Sequence, residues 1–122
     1  MMNRFEFQKQ KTLEQRKSES SRLRSNYVER VPCIVENYYK TVEHVLPRSK
    51  FLVPKDLTSA QFLYVIRKNL TLKPEQALFL FVGKCANIPP ASELIMSIDS
   101  KYADQDGFLY FSFSLENTFG TS

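Results

Sequence analysis

The period of apolar and polar positions changes several times along the chain, and each change marks an element. From Thr12 to Asn26 the residues are long, polar and helix-favouring, with Leu13, Ser20, Leu23 and Tyr27 on roughly one stripe, which predicts an amphipathic helix. Upstream, Phe5 and Phe7 stand two apart among polar neighbours, a spacing that fits a short helix or a strand equally well. After Arg30 the texture turns β-branched and apolar (Val31, Cys33, Ile34, Val35) around Pro32, and a proline in a strand implies an edge, an end or a bulge. Lys50 to Pro54 predicts a second short strand, expected to pair antiparallel with the first.

Thr58 and Gln61 have the spacing of a capping box, in which the threonine oxygen accepts from an early helix amide and the glutamine reaches back to the cap amide. A helix over 59–70 follows, with Phe62, Val65, Ile66, Asn69 and Leu70 on one face that should be buried apart from Asn69. Ala77 to Val82 is wholly apolar and ends at Gly83, which predicts a strand central in the sheet. After Pro89 and Pro90, residues 91–101 predict a second helix with Leu94, Ile95 and Ile98 inward, and the aromatic-rich Phe108 to Phe113 reads as the last strand. Strand, strand, helix, strand, helix, strand, preceded by helical material, is the plan of a ubiquitin-like β-grasp. That fold is α+β, with a mixed sheet and its helices segregated on one face.

A chain of 122 residues, 43% of them hydrophobic, fits one domain with one core. Eight of the basic residues but only four of the acidic ones lie within 1–30, so the net charge of +4 belongs to the N-terminal extension. Such a face suits nucleic acid, an anionic membrane, an acidic peptide or plain solvent; without a recognition-helix motif, an aromatic RNP pattern or a zinc finger, nucleic acid is not expected. A bilayer contact by Phe5 or Phe7 competes with their packing on the core. Absence of a P-loop, metal cluster or triad argues against an enzyme. Cys33 and Cys85 are too few and too far apart for a disulfide framework or zinc site, and no motif joins either to His44. The longest apolar run is far shorter than the roughly 18 residues of a spanning helix, and no secretory signal is read, so cytosol is the expected compartment.

Several separated motifs resemble, in order, the autophagy ubiquitin-like modifiers typified by GABARAP and light chain 3. They are Arg30-Val31-Pro32-Cys33-Ile34-Val35-Glu36, Lys50-Phe51-Leu52-Val53-Pro54, Asp56-Leu57-Thr58 with Gln61-Phe62, Ile66-Arg67-Lys68, Phe79-Leu80-Phe81-Val82, Pro89-Pro90, Asp106-Gly107-Phe108-Leu109-Tyr110 and Glu116-Asn117-Thr118-Phe119-Gly120. The resemblance spans residues 13–120. It implies a ubiquitin-like domain with a four-stranded mixed sheet over 30–120, a two-helix extension over 1–29, and a tail, 121–122, removed by processing.

Carried over residue by residue, the resemblance implies a modifier without catalytic activity, metal or resident cofactor, trimmed by a cysteine protease to Gly120 beside Phe119. Activating and conjugating enzymes then join it to phosphatidylethanolamine, moving it from cytoplasm to autophagosome membranes. It also implies docking of aromatic-x-x-aliphatic motifs of cargo receptors along the 50–54 edge. The first pocket would be lined by Glu19, Leu23, Pro32, Leu52 and Phe108, and the second by Phe51, Val53, Pro54, Leu57, Phe62 and Ile66, though Phe62 reads equally as core. Arg30, Lys50 and Arg67 would attract acids beside the motif. The alternative is an adaptor of the same fold without lipid. Val28, Asn69 and Asp99 depart from the family pattern, which usually has proline, a third basic residue and tyrosine there, and the 83–88 loop is about two residues longer than usual.

Overall fold

Two capping boxes start the two longest helices. The computed structural model describes residues 5–39 and 46–115. In it Thr12 and Gln15 exchange side-chain and backbone hydrogen bonds at the head of helix α2 (Leu13–Asn26), and Thr58 and Gln61 do the same for α3 (Ser59–Leu70). Helix α1 (Glu6–Gln10) precedes them, its first amides donated to the Glu36 carboxylate at 2.9 and 3.1 Å. Strands β1 (Arg30–Asn37), β2 (Lys50–Pro54), β3 (Leu78–Val82) and β4 (Leu109–Leu115), with helix α4 (Ile95–Tyr102), complete the chain.

The sheet order is β2-β1-β4-β3. β1 runs antiparallel to β2 and parallel to β4, and β3 runs antiparallel to β4, which is the expected mixed, ubiquitin-like α+β sheet. Pro32 lies inside a central strand, at the end of a ladder. The Val35 amide donates to Ser49 on the β2 side, so alternation turns position 32 toward β4, whose pairing with β1 starts only at Cys33 opposite Leu109.

Alternation divides two cores. Val31, Cys33, Val35, Leu109, Phe111 and Phe113 pack with Phe62 and Ile66 of α3 and with Ile95 and Ile98 of α4. Ile34, Phe108 and Tyr110 pack on the opposite side with Phe5, Phe7 and Leu23. Helices therefore cover both faces, and segregation on one face holds for α3 and α4 only. Phe5 and Phe7 are buried against Tyr110 and Phe108, not presented to a bilayer.

Three local expectations are corrected. β3 is an edge, with Phe79 41% exposed, because its run is apolar on a face that also looks outward beside Tyr38 and Tyr39. The buried line of α3 is Ser59, Phe62, Ile66 and Leu70, leaving Val65 on the exposed side with Asn69. α4 begins at Ile95, not 91, because residues 91–96 bond across to the start of α3: Ala60 and Ser59 amides donate to Ala91 and Glu93, while Ile95 and Met96 amides donate to Leu57 and Lys55. Leu94 is consequently a half-exposed cap residue. Cys33 is fully buried and its thiol pKa is pushed well up by desolvation, so it is not nucleophilic, while Cys85 is an exposed free thiol. His44 lies outside the described residues.

Candidate functional site

β2 is a sheet edge whose outward backbone groups belong to Lys50 and Leu52. Pairing of position 49 with 35 fixes this: Ser49, Phe51 and Val53 turn their N–H and C=O groups to β1, and the residues between turn theirs away. An open edge is a template for another strand. The Leu52 carbonyl is held at 3.0 Å by the Arg30 guanidinium, which reaches round the edge.

A cleft of about 570 Å³ straddles this edge. On one side Leu23 and Glu19 of α2 face Leu52 and Lys50; on the other lie Phe51 and Asn69, with Pro47 and Arg48 at the end where β2 begins. Lys50 bonds the Glu19 carboxylate, which also accepts from Lys11 at 3.0 Å, and its ammonium stands over the Phe7 ring. Burial disfavours the charged form of Glu19, but these two hydrogen bonds outweigh it and hold its pKa below the ordinary carboxylate value. One wall of the cleft is therefore apolar, and its rim carries mixed charge.

The wall is built by α2, which is polar nearly all round and held by hydrogen bonds more than by apolar burial. Arg16 donates to the buried Asp106 carboxylate at 2.6 Å, and Ser20 donates to the Asp106 carbonyl at 2.5 Å. Arg24 donates to the Gly107 carbonyl and, through both terminal nitrogens, to Asp99 at 2.9 and 2.8 Å. Asp106 also accepts from the Tyr110 hydroxyl and the Phe108 amide, and burial with that carboxylate beside it pushes the Tyr110 pKa up. Gly107 adopts φ +91°, and a Cβ there would lie 2.2 Å from the Ser20 hydroxyl. A side chain at 107 would push α2 off the sheet.

Of the residues expected in the first pocket, the structure gathers Glu19, Leu23 and Leu52 but buries Pro32 and Phe108, the latter wholly in the second core. Of the second, Phe51, Pro54 and Leu57 are half-buried, and Val53, Phe62 and Ile66 are buried in the core against which Phe51 and Leu57 pack. Phe62 supports Phe51 by an edge contact at 5.8 Å. The Arg67 guanidinium bonds the Lys73, Pro74 and Gln76 carbonyls and fastens the turn between α3 and β3. Arg48 takes a rim position that sequence reasoning did not single out, although a cation just ahead of an edge strand was a readable signal. Gly120 and Phe119 lie outside the described residues. Among the described residues no cluster could hold a metal ion, and no helix is long and apolar enough to cross a membrane.

The model of the family described as "Autophagy protein Atg8 ubiquitin like" matches residues 15–120. This chain belongs to the Atg8 family. Autophagy-related protein 8A of Oryza sativa subsp. indica is 45% identical over 121 residues, covering 99% of this chain and 100% of that protein. Autophagy-related protein 8 of Emericella nidulans is 44% identical over 117 residues, 96% and 98% of the two chains. The crystal structure of Trypanosoma brucei ATG8 superposes with a TM-score of 0.85 at 38% identity, covering 93% of this chain and 97% of that one. Plasmodium falciparum Atg8, solved in complex with a Plasmodium falciparum Atg3 peptide, shares the fold with a TM-score of 0.79 at 24% identity over 93% and 96%. As an Atg8 protein, the chain is an autophagy ubiquitin-like modifier.

Proposed function

We propose that this Atg8 protein is trimmed by a cysteine protease to Gly120, conjugated there to phosphatidylethanolamine on autophagosomal membranes, and read at the β2 edge by aromatic-x-x-aliphatic motifs of cargo receptors. The observation that carries the docking part is the open edge of β2 flanked by the cleft between Leu23, Leu52 and Phe51. A guest strand pairs with the outward groups of Lys50 and Leu52, and its alternate side chains fall to the α2 side and the α3 side. Arg30 gives up the Leu52 carbonyl as the guest arrives and is then free to meet an acid on it. The activating and conjugating enzymes are partners of the same reading, and the peptide carried by the Plasmodium falciparum protein supports capture of a conjugating-enzyme segment by this fold.

Titration of a fluorescent aromatic-x-x-aliphatic peptide tests the groove. Leu52→Ala removes an apolar wall and is expected to weaken binding about tenfold, roughly 1.4 kcal/mol. Lys50→Ala is expected to weaken peptides with acidic flanks by about threefold and to flatten their salt dependence. Unchanged affinity in both variants contradicts this site.

A further inference from the structure

We propose that Asp99 is a positioning residue for the groove, acting through Arg24 to fix the last turn of α2 and with it the Leu23 wall. The inference rests on the docking reading of the β2 edge and adds a residue on a different helix to it.

Arg16, Ser20 and Arg24 recur every four residues, so they form one stripe that fastens α2 to the body of the protein. Glu19 and Leu23 each sit one residue before an anchor, on the neighbouring stripe, and face the cleft. The roll of α2 about its axis therefore sets where the wall stands relative to β2. Arg16 and Ser20 both reach Asp106, besides the nearby Lys11 and Lys17 carbonyls, whereas Arg24 reaches past the Gly107 carbonyl to both Asp99 oxygens on α4. A bidentate guanidinium–carboxylate pair fixes orientation as well as distance. Asp99 has a firm base, since Ile95 and Ile98 of the same helix are fully buried. α2 ends two residues after Arg24, where the Tyr27 amide donates to the Leu23 carbonyl. Leu23 thus lies in a terminal turn, the kind that frays, and the polar anchor of that turn is Arg24. Glu19 lies a turn earlier, between the other two anchors.

The test measures peptide affinity and backbone amide exchange for wild type, Asp99→Asn, Asp99→Glu, Arg24→Gln and the double variant Arg24→Gln with Asp99→Asn. Lys101→Ala, an exposed change on the same helix, serves as control. The probe is a labelled synthetic aromatic-x-x-aliphatic peptide. Asp99→Asn is expected to weaken binding about fivefold, Asp99→Glu to recover most of that, and the double variant to bind like Arg24→Gln alone. Without peptide, amides 23–27 exchange faster in Asp99→Asn, while Lys101→Ala changes neither readout. Faster exchange at wild-type affinity reduces Asp99 to a stability contact and overturns the positioning role; no change in either readout overturns it outright. Failure of the wild type itself to bind sinks the groove reading, and is recognised before any variant is compared.

Discussion

Asp106→Ala is expected to cost about 3–5 kcal/mol of folding stability, because it leaves the buried Arg16 guanidinium without its counter-charge. Arg16 and Asp106 side chains are 9% and 0% exposed, so solvent cannot replace the lost partner. The same change strips acceptors from the Tyr110 hydroxyl and the Phe108 amide. Urea unfolding followed by circular dichroism measures the loss, and a fall in Tm of roughly 10–20 °C should accompany it. A cost under about 1 kcal/mol would show that α2 is held by other means. Arg16→Met is expected to cost less than Asp106→Ala, since the carboxylate keeps its Tyr110 and Phe108 donors while a flexible apolar chain occupies the guanidinium's place.

The element types were legible in the sequence because they are local. Thr58 with Gln61 announces α3, whereas α2 is read from its helix-favouring residues without its Thr12–Gln15 capping box, and the stripe of Leu13, Ser20, Leu23 and Tyr27 points partly to the wrong anchors. Arg16, which reads as one more surface cation, is buried because Asp106, far along the chain, meets it. Strand order was less legible. An apolar run such as Ala77 to Val82 suits a central strand, but β3 is an edge whose Phe79 and Phe81 build an outward aromatic patch with Tyr38 and Tyr39. The groove followed the same logic. Motif order named Leu23, Leu52 and Phe51, which line the cleft, together with Phe108, Phe62, Ile66 and Val53, which the structure buries in the two cores. Motif order gives neighbourhood, and only packing gives depth.

Gly120→Ala is expected to abolish conjugation to phospholipid, a loss of at least tenfold in lipidated protein at steady state in cells induced for autophagy. Ubiquitin-like conjugation needs a free C-terminal carboxylate. On the proposed route, ATP activates it as an adenylate with loss of pyrophosphate, an enzyme thiol displaces AMP to form a thioester, and the amine of phosphatidylethanolamine attacks that, releasing the thiol. On that route Thr121 and Ser122 must leave before the Gly120 carboxylate exists. Glycine at the junction has no side chain to obstruct a narrow protease or transferase channel and reaches backbone conformations closed to alanine. The proposed product would carry two acyl chains, each buried methylene contributing about 0.8 kcal/mol, an anchoring that one chain does not give. Membrane fractionation with intact-mass analysis reads both steps. Lipidation of Gly120→Ala at the wild-type rate removes the mechanism. Wild-type protein that keeps both tail residues yet forms puncta normally points instead to an adaptor working without lipid.

The two middle strands come from opposite ends of the chain, β1 opening the sheet and β4 closing it in parallel. During synthesis β1 and β2 can form their hairpin early, but the second flank of β1 stays bare until residues near the C-terminus have left the ribosome. Parallel pairing over so long a separation is slow, since the loop must close before any contact rewards it. A nascent chain stalled before Leu109 therefore leaves Cys33, Ile34 and Val35 without their β4 partners, and is expected to engage chaperones. A truncation in β4 is expected to leave insoluble protein, where one after Leu115 keeps all four strands of the sheet.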